Sequence, residues 1–234
     1  MSGHSKWSTI KHQKGANDAK RAKMFTRLLR GIQLAVREGG SDPTANAALR
    51  TAIERAKAYN VPKDTIARAL AKDSGRELSE LSLDAIGPGG VQLIVECATD
   101  NRNRTLAEVR HLIEKTGGKV GQEGTARWAF SRRGLIVVNP QGSDRDTATL
   151  ALVDAGADDV VEDGAMLVGL SAPEQFARVS TAARGAGLLV EDATLGWNPE
   201  QTVSLSDVDA KKLEVLVELL EEHDDVQSVW HNAG

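Results

Sequence analysis

Positively charged side chains are concentrated at the start of this chain, at a spacing that suits the binding of phosphate groups. Between residues 4 and 37 the only acidic residue is Asp18. Four of the cations recur at the spacing of one helix face, so they can follow a row of phosphates. The candidate nucleic-acid-binding residues of this segment are Lys6, Trp7, Lys11, His12, Lys14, Lys20, Arg21, Lys23, Arg27 and Arg30.

Two alternatives remain open for these residues. The cations can form a solvated outer face of a helix, without any ligand. Trp7 can stack on a base or a sugar, or it can anchor the polar segment of residues 1–15, here called the basic arm, on the helices that follow. The presence of a single acid among so many cations favours nucleic acid binding.

Arg102 and Arg104 form a second candidate anion site. They stand before a helix that Thr105 and Glu108 are expected to open as a capping box. Free N–H groups and the dipole at a helix N-terminus favour anions, and two guanidiniums there can hold a phosphate. The alternative is ordinary turn chemistry, in which the neighbouring Asp and Asn side chains bond their own backbone. We favour the anion site for the two arginines.

The whole chain is divided into a basic N-terminal part and an acidic remainder. Residues 1–76 contain 16 Lys and Arg against 6 Asp and Glu, whereas residues 77–234 contain 13 against 27. The basic end therefore attracts a polyanion that the acidic remainder repels. If about six phosphates are neutralised, log K falls with log salt at a slope of roughly −5. No pattern of base-reading residues is evident, so sequence preference is expected to be weak.

The remaining residues do not suggest an enzyme. An acidic cluster at Asp158, Asp159, Glu162 and Asp163 could hold Mg²⁺ in a nuclease. Along a strand, however, these carboxylates point to both faces, which favours a solvated edge. The chain has no nucleophile elbow, zinc-protease helix, P-loop or dinucleotide fingerprint, and Cys97 stands alone. We therefore expect no enzymatic activity, no cofactor and no metal site.

Composition predicts a cytoplasmic protein. The N-terminus is polar and basic, without the apolar core of a secretory signal. No apolar run approaches the roughly 20 residues of a membrane span, so no membrane partner is expected. The sequence contains no signal for an oligomeric state.

Hydrophobic periodicity predicts an α+β fold. Three short helices between about residue 17 and the predicted domain boundary at 78 form an N-terminal bundle with the basic arm in front of it. Beyond residue 80, strands and helices alternate in the split arrangement of a ferredoxin-like sandwich. The predicted domains are 1–78, the basic arm and helical bundle; 79–132 with 201–234, a discontinuous ferredoxin-like α/β sandwich; and 133–200, a second ferredoxin-like sandwich inserted into it.

Within these domains the sequence predicts individual strands and caps. Alternation predicts strands at 91–97, 126–130, 135–138, 166–170, 188–190, 203–205 and 226–230, and one near 160–161. In the strand 126–130 the inward side chains are Ala126, Trp128 and Phe130. Ser143 with Asp146 and Ser171 with Glu174 are expected to cap the two helices of the inserted domain.

A set of short motifs extends over nearly the whole chain. They are Gly3-His4-Ser5-Lys6-Trp7, Ile10-Lys11-His12, Asp18-Ala19-Lys20-Arg21, Gly87-Pro88-Gly89-Gly90, Thr-Asp-Asn-Arg-Asn-Arg at 99–104, Glu108-Val109-Arg110-His111, Asp224-Asp225-Val226-Gln227 and His231-Asn232. In this order they resemble the YebC/PmpR family. The resemblance implies a three-domain cytoplasmic protein without a cofactor. Bacterial members are described as DNA-binding transcriptional regulators. Others, including mitochondrial relatives, resemble translation factors that act on the ribosome, some easing the synthesis of proline-rich stretches.

The chain departs from the family pattern in two places. The stretch before the Gly-Pro-Gly-Gly turn is acidic and aromatic in the family, and here it is Leu83-Asp84-Ala85-Ile86. The segment Gly196-Trp197-Asn198-Pro199 is also atypical. Any function that needs an aromatic side chain before the turn is therefore in doubt for this member.

These observations lead to one principal hypothesis and three alternatives. The principal hypothesis is a non-enzymatic DNA-binding transcriptional regulator, working with the transcription machinery. The first alternative is a translation factor that binds ribosomal RNA or tRNA on the ribosome. The second is a metal-dependent nuclease or a binder of branched DNA, and the third is a protein scaffold in which the cations have no role.

Overall fold

The structure is a computed structural model that describes residues 18–71, 78–140 and 144–234. Its first part is helical: α1 is Asp18–Gly39, α2 is Ala47–Ala58 and α3 is Lys63–Ala71. These helices, the helical region below, share a small core in which Ile32 and Leu49 are fully buried. Asn46 caps α2 by accepting a hydrogen bond from the backbone N–H of Leu49.

The remainder contains eight strands and four helices in the described residues. In chain order they are β1 Ser79–Ile86, β2 Gln92–Thr99, α4 Arg102–Lys115, β3 Lys119–Val120, β4 Phe130–Asn139, α5 Arg145–Asp154, β5 Asp159–Asp163, β6 Met166–Ser171, α6 Phe176–Gly185, β7 Leu189–Pro199, α7 Asp207–Glu221 and β8 Val226–His231. Short 3₁₀ turns precede β2, β4 and α6.

The strands form two antiparallel sheets of four strands each. The first sheet has the order β3-β1-β2-β8, with α4 and α7 packed on one face. The second has the order β5-β6-β4-β7, and its connectivity, strand-helix-strand-strand-helix-strand, is that of a ferredoxin-like sandwich. The second sheet lies within residues 130–199, between the segments that build the first. The predicted α+β class, with a helical region followed by two sandwiches, is confirmed.

The two sheets pack against each other through their other faces. Ile94 and Trp230 of the first sheet meet Leu135 and Leu170 of the second in one buried cluster. The carboxylate of Glu96 lies at this junction, where it accepts hydrogen bonds from the indole N–H groups of Trp197 at 3.0 Å and Trp230 at 2.9 Å. It also accepts one from the Ser228 hydroxyl at 2.6 Å. A charge-assisted acceptor thus satisfies two indoles that would otherwise be costly to bury.

The individual strands differ from prediction in two respects. Two strands of the first sheet, β1 and β3, are not predicted, and residues 203–205 supply only one bridge within the described residues, from Val203 to Ala233. Residues 126–130 do not form a strand, because a 3₁₀ turn at Arg127–Ala129 precedes β4. That turn buries Ala126 and Phe130 but leaves Trp128 61% exposed.

The predicted caps also differ, while the domain boundaries stay a prediction. Asp144 is the N-cap position of α5, and the predicted cap residue Ser143 lies outside the described residues. A 3₁₀ turn at Pro173–Gln175 separates Ser171 from α6, and the buried Ser171 hydroxyl makes no hydrogen bond. The strand β4 begins at Phe130, before the predicted domain boundary at residue 132. None of the helices in the described ranges is long and apolar enough to span a membrane.

The contact between Gly196 and Trp230 gives a test of the packing between the sheets. A Cβ atom at Gly196 would lie 2.0 Å from the buried indole ring, so Gly196→Ala forces the ring or the strand to move. We expect this variant to lose about 2–3 kcal/mol in the free energy of unfolding, measured by urea denaturation. The control Gly185→Ala has no atom within 4 Å of the new Cβ and should be neutral or slightly stabilising. Equal stability of the two variants would contradict this packing.

Candidate nucleic-acid interface

The cationic face of α1 is docked on the C-terminal end of α7. The Lys23 ammonium donates to the carbonyl oxygen of Glu222 at 3.1 Å, and the Arg27 guanidinium donates to that of Glu221. Arg30 donates to the carbonyl oxygen of Asp224 at 2.6 Å and to the Asp225 carboxylate at 2.5 Å. Three of the predicted phosphate-binding cations therefore share one intramolecular partner.

The end of α7 is well suited to receive these cations. A helix leaves its last carbonyl oxygens without partners and carries a partial negative charge there. This helix has no basic residue in its last turn, and Glu221, Glu222, Asp224 and Asp225 add four acidic side chains. The cations of α1 supply both the missing donors and the opposite charge. Burial in this contact lowers the pKa of Arg27.

Asp225 is the centre of the docking. Its buried carboxylate is bonded by Arg30 from α1, by Arg104 of α4 at 2.9 Å and by the Thr105 hydroxyl at 2.6 Å. The Thr99 hydroxyl at the end of β2 adds a fourth bond at 3.2 Å. Burial alone would raise the pKa of Asp225, but the bonds from Thr105, Arg104 and Arg30 prevail and hold it at about 2. One carboxylate thereby joins the helical region to the first sheet.

The second predicted anion site is already occupied by protein groups. Asn101 is the N-cap of α4 and accepts a hydrogen bond from the Arg104 backbone N–H. The Arg104 guanidinium bonds Asp100 at 3.0 Å as well as Asp225. The Arg102 guanidinium donates to the carbonyl oxygen of Glu80. The two arginines point to different partners, so the structure does not bring them together around a common site.

Other cations of the helical region face solvent. Arg21 is exposed, with its guanidinium 5.5 Å from the ring centre of Phe25. Lys57, Lys63 and Arg68 are exposed on α2 and α3, and none of the three forms an ion pair within the described part of the chain. These side chains, at the end of α2 and along α3, were not predicted as site residues. These side chains become candidate contacts because they are exposed in the structure, and not because of their spacing in the sequence.

Several predicted site residues lie outside the described residues. Lys6, Trp7, Lys11, His12 and Lys14 all belong to residues 1–17. The backbone of Lys20 lies in α1, but its side chain is not among those described. The role of these residues stays a prediction.

A small cleft of about 30 Å³ lies between the helical region and the second sheet, lined by α2, α6 and the start of β7. Arg55 bonds the buried Asp192 at 3.0 Å, and Arg184 lies 3.5 Å from Glu54. The Asp192 carboxylate and the surrounding groups raise the pKa of Arg55 against the opposing effect of its burial. Arginines and carboxylates both line this cleft, so it has no strong net charge. The ion pairs across the cleft attach the helical region to the second sheet.

The acidic cluster of β5 does not converge on a common point. Asp158 lies 3.4 Å from Arg133, and Glu162 lies 2.7 Å from Arg145. Across the described ranges, no group of three His, Cys, Asp or Glu side chains is placed to hold a metal ion. This arrangement gives no support to the nuclease alternative.

Replacement of the central carboxylate should weaken the docking of α1. In Asp225→Asn, Arg30 and Arg104 lose their anionic partner while the shape of the side chain is kept. We expect a loss of about 2–3 kcal/mol in the free energy of unfolding, because hydrogen bonds to a buried charge are broken. The matched control is Asp224→Asn, whose side chain is exposed and whose carbonyl oxygen still accepts from Arg30. A loss as large in the control would contradict the central role of Asp225.

The lowered pKa of Asp225 predicts that the free energy of unfolding depends on pH. Its pKa of about 2 in the folded protein lies below the value of about 3.9 for an unfolded aspartate. Its contribution is therefore complete above about pH 4 and is lost as the pH falls towards 2. Urea denaturation at a series of pH values should show the stability difference between wild type and Asp225→Asn shrinking over that interval. A difference that is constant down to pH 2 would show that Asp225 does not titrate in this way.

Comparison with known proteins supports one family for the whole chain. Two family models match, the "TACO1/YebC protein N-terminal domain" at residues 5–76 and the "TACO1/YebC second and third domain" at residues 78–233. A protein from Petrotoga mobilis is 47% identical over 99% of this chain and 94% of its own, and one from Nitratiruptor sp. is 43% identical over 99% of both. Each is named "Probable transcriptional regulatory protein".

A solved structure has the same fold. The crystal structure of a conserved hypothetical protein, Aq1575 from Aquifex aeolicus, matches with a TM-score of 0.87 and 36% identity. The match covers 93% of this chain and 91% of that one. Family models for both parts of the chain, close relatives over its full length and a common fold agree, and the chain belongs to the TACO1/YebC family.

Proposed function

We propose that this protein is a non-enzymatic regulator of gene expression that binds DNA through its basic N-terminal end. The observation that carries the proposal is the division of charge, with +10 in residues 1–76 and −14 in the remainder. A duplex carries a negative charge at every phosphate, so it is drawn to the first part and kept from the second.

The docking of α1 supports two separate roles for the cations, one in holding the fold together and one in binding DNA. Lys23, Arg27 and Arg30 are used to hold the helical region on the end of α7. The groups proposed to contact DNA are therefore the basic arm, Arg21 and the exposed cations of α2 and α3. Because the helical region is fixed to the acidic body, the N-terminus of α1 at Asp18 has a defined position on that body. Phosphate contacts of this kind position a protein but do not select a sequence.

The names of the relatives favour transcription over translation. Those from Petrotoga mobilis and Nitratiruptor sp. are both named "Probable transcriptional regulatory protein". The alternative, a factor that binds ribosomal RNA or tRNA, uses the same electrostatics, and only the identity of the bound nucleic acid separates the two.

The arm can be tested by neutralising its three lysines. Lys6→Ala, Lys11→Ala and Lys14→Ala combined should flatten the plot of log K against log salt for duplex DNA by roughly 3 units of slope, because each lysine releases about one counterion. Fluorescence anisotropy over a range of salt concentrations measures this slope. The control replaces three exposed lysines of the acidic part, Lys115, Lys119 and Lys211, with alanine and should leave the slope unchanged. An equal effect of the two triple variants would contradict a specific role for the arm.

The nature of the ligand is decided by crosslinking and sequencing all nucleic acid bound to the tagged protein in its own cells. Discrete genomic sites, lost in the triple variant of the arm, are the expected result. Recovery of ribosomal RNA or tRNA instead would replace the proposal with the translation alternative. Recovery of neither would remove nucleic acid binding altogether.

A further inference from the structure

The last helix of the helical region, α3, buries one side and turns the other to solvent. Ile66 and Ala69 lie in the core that α3 shares with α1 and α2. The exposed side chains of the helix, here called the outer face of α3, are Lys63, Asp64, Ala67, Arg68 and Ala71. Helical periodicity places Ala67 near the middle of this face and the cations Lys63 and Arg68 at its two edges.

The turn at residues 59–62, which joins α2 to α3, is short and fixed. Asn60 has a φ of 59°, in the left-handed region, and its backbone N–H donates to the carbonyl oxygen of Lys57 at 2.9 Å. The backbone N–H of Val61 donates to the carbonyl oxygen of Ala56 at 3.0 Å, and its side chain is buried. These two bonds are those of a Schellman motif, which ends α2 sharply. Two helices joined by such a turn and packed on a third helix have the arrangement of a helix-turn-helix unit.

The cations of this unit are not neutralised by protein groups. Lys57, at the end of α2, and Lys63 and Arg68 on α3 form no ion pair with any described residue. Arg68 donates from Nε to the backbone carbonyl oxygen of Asp64 at 3.2 Å, which draws its guanidinium towards the start of the helix. Asp64 is the one acidic residue of α3. Positive charge therefore reaches solvent on both edges of the outer face.

The major groove of DNA is complementary to this surface. The groove is about 12 Å wide, admits an α-helix and has a row of phosphates on either side. The outer face of α3 has cations at both edges, where the phosphates lie, and the small Ala67 in the middle, where the helix approaches the bases. The Arg68 guanidinium can donate to O6 and N7 of guanine, and the Asp64 carboxylate can accept from the amino group of cytosine. The major groove of duplex RNA is too deep and narrow to be read by side chains, so the surface suits DNA.

We propose that α3 is a recognition helix that lies in the major groove of duplex DNA, with Asp64 and Arg68 at base edges and Lys57 and Lys63 at phosphates. This inference rests on the proposed function, and it adds selection of sequence to the phosphate contacts of the basic arm. In homeodomains a basic arm in front of three helices reaches the minor groove next to the recognition helix. The basic arm of this chain has the same place in the order of elements.

The test selects DNA duplexes of random sequence with the full-length protein and measures the affinity of the enriched duplexes by fluorescence anisotropy. Wild type should enrich a short motif. Arg68→Ala should lower the preference at one position of that motif about tenfold, since a side chain that reads one base has an effect of this order. Lys63→Ala should instead weaken all duplexes alike and reduce the slope of log K against log salt by about 1.

A second variant tests whether the helix enters the groove. Ala67→Leu places a large side chain in the middle of the outer face while keeping a good helix former, so α3 should fold but should not approach the bases. We expect the preference for the enriched motif to disappear and the salt dependence due to the arm to remain. The matched control is Ala107→Leu, at an exposed position of α4, which should bind and select as wild type does.

Three outcomes would overturn the inference. If wild type binds duplexes but enriches no motif, α3 does not read bases, and the proposed function stands without it. If Arg68→Ala and Ala67→Leu both enrich the same motif as wild type, the selection comes from another part of the chain. If wild type binds no DNA duplex and only folded RNA, the inference and the proposed function fall together in favour of the translation alternative.

Discussion

The arrangement of this protein depends on the attachment of a cationic helix face to the C-terminal end of another helix. The last carbonyl oxygens of α7 need donors, and its final residues concentrate acidic side chains where the helix dipole is already negative. Lys23, Arg27 and Arg30 satisfy both requirements at once. Without α1, this end of α7 would be a site of uncompensated negative charge. The orientation of the helical region is therefore set by hydrogen bonds and ion pairs.

This attachment changes the meaning of the charge asymmetry. Positive charge in the first third of the chain has two roles, since part of it binds the acidic body and part of it faces solvent. Asp225 connects the two parts of the fold, because the same carboxylate also orders the start of α4 through Arg104 and Thr105. A disturbance at the turn between α7 and β8 would consequently be felt in both the helical region and the first sheet.

Hydrophobic periodicity is sufficient to predict the elements that depend on residues close together in the sequence. The helices of the N-terminal region and the ferredoxin-like connectivity follow from the spacing of apolar residues and from turns. The docking of α1 could not be predicted in this way, because Arg30 and Asp224 are 194 residues apart and their contact depends on the completed fold. The strand β1 was missed because Asp84, in the middle of it, resembles a surface residue although it is buried to hold a turn. Trp128 was expected in a core because Ala126 and Phe130 alternate with it, yet the 3₁₀ turn breaks that alternation.

The packing of the two sheets against each other gives four layers, in which helices form the outside and the strands the centre. In single sandwiches of this topology that bind RNA, the open face of the sheet is the platform on which bases stack. Here the central strands β2 and β4 place Ile94 and Leu135 in a shared interior, so that platform is closed on both sheets. Within the described residues, the surfaces left for a nucleic acid are therefore the helices, the sheet edges and the turns. Packing the sheets face to face thus removes two surfaces on which bases could stack, and it leaves recognition to groups on the outside of the packed sheets.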